Sequence, residues 1–176
     1  MAEHRRALVI GYGNPGRLDD GLGPALAERL EALALPGVTV EADYQLVVED
    51  AESIARHDVV VFADAHTSID EPFSFTPVEP VEHVSFSSHS LTPQAVVSLA
   101  RELFGATAEA YVLAIRGYEF NDFGKGLSPA ARANLGEAVE SLASMLTRGV
   151  FTVTEPGRPL AAAARDKDLT CKTENM

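Results

Sequence analysis

The apolar residues of this chain fall into short unbroken runs set between stretches of helical periodicity. Residues 7–12 form an apolar run closed by glycine, and residues 59–63 (Val-Val-Val-Phe-Ala) are apolar throughout. Such runs predict strands covered on both faces. Residues 38–43 and 110–115 predict two more strands. Residues 73–78 alternate loosely between prolines and predict an edge strand. Between the strands, Leu22, Leu26, Leu30 and Leu33 place one apolar stripe on a helix spanning about 22–35, stopped by Pro36-Gly37. A short helix is expected over 47–55. Thr92-Pro93 and Ser128-Pro129 pair a good N-cap with a good first residue, and they predict helices over about 93–103 and 127–146, the second ended by Gly149. Strands alternating with helices predict an α/β fold: three α/β/α layers around a twisted, mostly parallel five-stranded sheet. The pattern decays after Thr154, which predicts one domain over 1–154 and a polar tail over 155–176.

Composition narrows the class. The chain has 176 residues, 46% of them hydrophobic, enough for one well-buried core. Cys171 is the only cysteine, so no internal disulfide forms and a reducing compartment is expected. The net charge of −12 argues against a nucleic-acid partner held by a basic face. The apolar run after Arg5-Arg6 stops at Gly11, short of a secretory core, and no stretch nears the roughly 18 apolar residues of a membrane span. The expected protein is cytoplasmic, with no membrane partner.

Two features bear on chemistry. Gly11-Tyr12-Gly13-Asn14-Pro15-Gly16 matches the dinucleotide fingerprint in form. In that fingerprint the helix opens inside the motif and faces the pyrophosphate. Here Asn14-Pro15-Gly16 blocks a helix, and Asp19-Asp20 places negative charge where a phosphate needs donors. The competing reading is a loop that crosses the carboxyl edge of the sheet and presents Asp20, with Asp19 as a helix cap. Asp64 follows the most buried strand, where a charge must be solvated, paired or metal-bound. His89, in Ser87-Ser88-His89 ahead of a helix, is a candidate imidazole ligand, with His66 and His83 as competitors. Two carboxylates and an imidazole suit a borderline divalent metal. Nothing supports a nucleophile: Cys171 lies in the tail, and no serine sits in a nucleophile elbow.

These residues together resemble the hydrogenase maturation protease family. Residues 8–15 with Asp19-Asp20-Gly21-Leu22-Gly23 are similar to its first motif, 60–65 to its second and Ser88-His89 to its third. Ile115-Arg116-Gly117-Tyr118 with Gly126-Leu127-Ser128 resembles its closing segment. The resemblance covers most of residues 7–148. It implies a phosphorylase/hydrolase-like fold and an endopeptidase, expected to be a monomer, that trims the C-terminal end of a nickel–iron hydrogenase large-subunit precursor after nickel insertion. It also implies that Asp20, Asp64 and His89 contact nickel carried by the substrate, a place that zinc or cadmium can take in vitro. The alternatives are a non-catalytic metallochaperone using the same three residues and a dinucleotide-binding protein. One departure stands out: Asp43-Tyr44-Gln45-Leu46 replaces an Asp-Gly-Gly-Thr-like loop, which reshapes the rim of the site.

Overall fold

The computed structural model describes residues 4–81 and 91–154. Five strands form one sheet: β1 (Ala7–Tyr12), β2 (Val38–Asp43), β3 (Val59–His66), β4 (Phe73–Pro77) and β5 (Glu109–Arg116). The order is β2-β1-β3-β5-β4, parallel except for β4, which runs antiparallel along the edge beside β5. Four helices cover it: α1 (Leu22–Ala32), α2 (Asp50–Ala55), α3 (Pro93–Phe104) and α4 (Pro129–Arg148). This is the three-layer α/β arrangement expected from the alternating pattern.

The two faces of the sheet use alternate residues of each strand. Val9, Val59, Val61, Ala63, Leu113 and Ile115 pack under Leu22, Leu26 and Leu30 of α1 and Leu135 and Leu142 of α4. On the other face, Leu8, Ile10, Val60 and Phe62 pack under Ile54 of α2 and Val96, Val97 and Ala100 of α3. Thr92 and Ser128 cap α3 and α4 as expected, their hydroxyls accepting from Ala95 N at 3.2 Å and Ala131 N at 3.3 Å.

Several boundaries differ from the sequence pattern. Helix α1 stops at Ala32, and Leu33 is 49% exposed rather than part of the buried stripe. The chain turns through a left-handed residue, Ala34, before Pro36, because the residue ahead of a proline is disfavoured in a helix. Helix α2 begins at Asp50 rather than 47, because the Asp50 carboxylate accepts from Val47 N at 2.8 Å and holds residues 47–49 in a turn. Strand β3 runs on to His66 instead of ending at Ala63, paired with β5 through His66↔Arg116.

The seating of α1 on the sheet depends on Gly23. A Cβ there would lie 2.3 Å from the Tyr12 carbonyl oxygen and 2.6 Å from that of Ala63, both of them backbone atoms. Gly23→Ala therefore cannot be absorbed by a rotamer change. It should destabilise by about 3 kcal/mol, the upper end for overpacking, read as a lower urea midpoint with an unchanged slope.

Candidate functional site

The chain leaves β1 toward β2 on one side and leaves β3 toward β4 on the other. The carboxyl ends of β1 and β3 are thus the topological switch point, where open α/β sheets hold their ligands. The β1–β3 ladder ends at Gly11↔Ala63, so Tyr12 and Asp64 are the next positions on the two diverging strands.

Those two side chains meet. The Tyr12 hydroxyl donates a hydrogen bond to the Asp64 carboxylate, which also accepts from Ala65 N at 2.8 Å. Burial raises the Tyr12 pKa, and the charge and hydrogen bond of Asp64 raise it further, so the phenol stays a donor. Asp64 is pushed up to about 6. Burial is the main cause; the Ala65 and Tyr12 hydrogen bonds pull the other way, and the negative charge of Asp20 adds to the rise. Asp64 and Asp20 are therefore electrostatic neighbours, although 44 residues separate them in the chain.

Asp20 sits in a 3-10 turn, Leu18–Gly21, just ahead of α1. Its carboxylate caps neither helix. It accepts from Asn14 N at 2.9 Å and so ties the glycine loop to the turn. Gly13 has φ of +143°, and a Cβ there would lie 2.1 Å from the Asp20 carbonyl oxygen, so only glycine lets the loop pass so close. The other loop amides are also committed. Gly13 N donates to Asp43 O (3.0 Å), Gly16 N to the Asn14 side chain (2.9 Å) and Arg17 N to Asn14 O (3.1 Å). A dinucleotide fingerprint needs such amides facing a pyrophosphate; these face the protein's own oxygens.

No family model matches this sequence, and no curated protein matches it. Solved structures do. A nickel–iron hydrogenase maturation protease, HycI from Thermococcus kodakarensis KOD1, is 25% identical, with a TM-score of 0.65 over 82% of this chain and 94% of that one. The hydrogenase maturating endopeptidase HybD from Escherichia coli is 21% identical, with a TM-score of 0.59 over 84% and 96%. The endopeptidase HycI from Escherichia coli is 19% identical, with a TM-score of 0.60 over 87% and 99%. The fold is that of the hydrogenase maturation proteases.

Within this maturation-protease fold, Asp19 does something its neighbour does not. The sequence suggests a helix cap; the structure overturns that. Asp19 is fully buried. Its Oδ2 accepts from Tyr118 N (2.9 Å), Glu119 N (3.0 Å) and the Ser128 hydroxyl (2.8 Å), and its Oδ1 accepts from Ser128 N (2.8 Å). Burial alone would raise its pKa; the amides of Glu119, Ser128 and Tyr118 and the Ser128 hydroxyl outweigh it, and the net shift is downward. Gly117 makes room for this packing, since a Cβ there would lie 3.0 Å from the Asp19 Cβ. The turn that carries Asp20 is thus bolted to the segment before α4.

Among the expected site residues, Asp20 and Asp64 come together, and His89 lies outside the described residues, as does His83. His66 ends β3, exposed, with its Nδ1 accepting from Ser68 N at 3.2 Å. Among the described residues no group of three or more His, Cys, Asp or Glu side chains could hold a metal ion. None of the described helices is long and apolar enough to cross a membrane. Tyr12 is the contributor that local sequence patterns miss. The signal for it is register: two parallel buried runs that end at Gly11-Tyr12 and Ala63-Asp64 bring tyrosine beside aspartate once they are aligned.

Proposed function

We propose that this chain is an endopeptidase that removes the C-terminal extension of a nickel–iron hydrogenase large-subunit precursor. In this reading the nickel arrives in the precursor, and Asp20, Asp64 and His89 contact it. The observation that carries the reading is the Asp20–Asp64 pair. Two acids from separate elements are held within mutual repulsion at the switch point of a sheet shared with solved maturation proteases. A cation between them removes that repulsion and stabilises both charged forms, so the pair suits a divalent metal as a donor set. Zinc or cadmium would fill the same place in vitro. His89 as third contact rests on the resemblance of Ser88-His89 to the third motif of the maturation proteases.

The chemistry follows from these groups. The metal would polarise the scissile carbonyl. Tyr12 would orient Asp64, whose carboxylate, kept ionised by the cation, would take a proton from the attacking water. The turn at Leu18–Gly21 holds Asp20 in register with it, which is the positioning that such a reaction needs. The protein would work as a cytoplasmic monomer.

Incubation with nickel-loaded and nickel-free precursor, followed by mass spectrometry, tests this. The expected result is a shortened C-terminus with nickel-loaded precursor only. Asp20→Ala and His89→Ala should lower the processing rate at least about tenfold, the scale for losing one positioned group, while leaving circular dichroism unchanged. An intact precursor that nonetheless binds would establish the metallochaperone reading instead.

A further inference from the structure

The two edges of the sheet are finished differently. The β4 edge is closed by its own chain. Thr154 N donates to Phe75 O at 2.8 Å, Phe75 N donates to the Thr154 hydroxyl at 2.9 Å, and the Phe151 ring stacks on Tyr111 with centroids 5.4 Å apart. The β2 edge is open among the described residues. Its odd-numbered residues turn their backbone groups to β1: Asp43 O accepts from Gly13 N at 3.0 Å, and Gly37 O, just before the strand, accepts from Ala7 N at 2.9 Å. By the alternation of a strand, the backbone groups of Val40 and Ala42 point outward, with the Val38 carbonyl beside them. No backbone hydrogen bond among the described residues takes up the Val40 and Ala42 groups. Such an edge is a template for one more strand. It also leads to the candidate site. Past Ala42 it opens on a pocket of about 230 Å³ lined by Gly13, Pro15, Pro24, Ala42, Asp43 and Tyr44. Gly13 lies against the Asp20 carbonyl oxygen, and Asn14 N donates to the Asp20 carboxylate.

We propose that the outer edge of β2 receives the C-terminal extension of the precursor as an added antiparallel strand. The direction follows from the position of the site. Strands β2, β1 and β3 are parallel and have their carboxyl ends on the side of Asp20 and Asp64, so a chain that leaves the scissile bond and descends along β2 runs against it. The spacing follows from the strand order. An added strand would stand three spacings from β3, about 14 Å, which an extended chain crosses in roughly four residues. Pairing therefore begins about four residues after the scissile bond. A second copy of this chain is the other natural occupant of an open edge, and charge opposes it. Glu41 and Asp43 lie on β2, Glu49 and Asp50 follow, and the chain carries −12 overall, so two copies would set acid against acid. Main-chain bonds supply the affinity in strand addition, so this edge would recognise the extension by its extended conformation. The proposal rests on the endopeptidase reading for the identity of the strand, and two arms separate the failures.

The binding arm does not need cleavage and uses the wild-type protein. The probe is a synthetic peptide spanning the cleavage site and extension of the precursor, and amide exchange is followed residue by residue by NMR. The Val40 and Ala42 amides should exchange freely in the protein alone and at least about tenfold more slowly with saturating peptide. Thr39 and Glu41, whose amides already face β1, should change little. Peptides N-methylated at every second residue of the extension should lose affinity at least about fivefold for one parity and not for the other, because only one set of amides faces β2. No binding, binding without protection of Val40 and Ala42, or equal losses for both parities would overturn the proposal. Protection that appears without peptide and grows with protein concentration would assign the edge to a second copy and overturn it too. The kinetic arm uses Ala42→Pro, which removes an outward N–H and spares the ladder to β1, so its circular dichroism should match wild type. On nickel-loaded precursor its KM should rise at least about fivefold with kcat little changed, the pattern for lost binding away from the reacting atoms. An unchanged KM in the folded variant would overturn the proposal. Failure of wild type to cleave counts against the endopeptidase reading and leaves the binding arm to decide the edge.

Discussion

Asp19→Ala is expected to lower folding stability by about 3–5 kcal/mol, because each buried donor left without an acceptor costs about 1–3 kcal/mol. Three backbone amides and one hydroxyl lose their shared acceptor at once. The damage spreads along a connected path. The Ser128 hydroxyl donates to Asp19 and accepts from Ala131 N, so the bond that anchors Asp19 also orients the cap of α4. Asp19→Asn keeps the volume but not the chemistry, since its NH2 group would face the Ser128 amide or the paired amides of Tyr118 and Glu119. It should fall between alanine and wild type. For a chain of this size the alanine variant should melt roughly 6–20 °C lower, from about 2–4 °C per kcal/mol. The pH dependence separates this role from simple packing. The folded-state pKa of Asp19 lies below its ordinary value. Its stabilisation is therefore present above the unfolded pKa, near 3.9, and is lost as pH falls through the folded value. Urea midpoints of wild type and variant should differ widely at pH 7 and converge as the pH is lowered below about 4. A gap that stays constant with pH would mean the carboxylate charge is not what holds the loop.

Asp64→Asn is expected to act in the opposite direction on stability while removing the proposed activity. The Asp64 pKa is raised to about 6, chiefly by burial. A raised carboxylate contributes stability below its unfolded pKa and loses it as pH climbs through the folded value, so above pH 6 the ionised group opposes folding. A shift of this size corresponds to roughly 2–3 kcal/mol at 1.36 kcal/mol per unit. Asparagine cannot ionise, and its carbonyl oxygen can still accept from Tyr12. The variant should melt about 4–12 °C above wild type at pH 8, on the same scale of degrees per kcal/mol, and the advantage should vanish near pH 4. Processing of nickel-loaded precursor should fall by about a hundredfold or more, because in the proposed function Asp64 would both hold the metal and serve as base. Calorimetry at pH 4, 6 and 8 beside the processing assay checks both halves. A variant no more stable than wild type at pH 8 would place Asp64 in a less hostile setting than burial beside Asp20 implies.

These two residues mark the boundary between what was legible in the chain and what was not. The strands and helices are a local matter. Short unbroken apolar runs bounded by turn residues suit strands buried on both faces, leucines at helical spacing suit a helix with one dry side, and Thr92 and Ser128 ahead of proline announce helix starts because their hydroxyls meet the first free amides. Asp64 could be singled out because charge at the end of a buried run is costly without a purpose, and Asp20 because the glycine loop after β1 presents it at the carboxyl edge of the sheet. Their partners could not. Asp19 and Asp20 are adjacent and chemically identical, yet one is sealed beneath Tyr118 and Ser128 and the other stands beside Asp64, a division imposed by the 3-10 turn and by segments about a hundred residues away. Strand register alone places Tyr12 beside Asp64. The pKa of Asp64 and the pocket beneath Tyr44 likewise arise from surfaces that meet only after folding. Local pattern is set by short-range sterics and burial, which the order of residues encodes directly. The site is set by which distant groups are brought into one low-dielectric corner, and only the packed sheet and helices decide that.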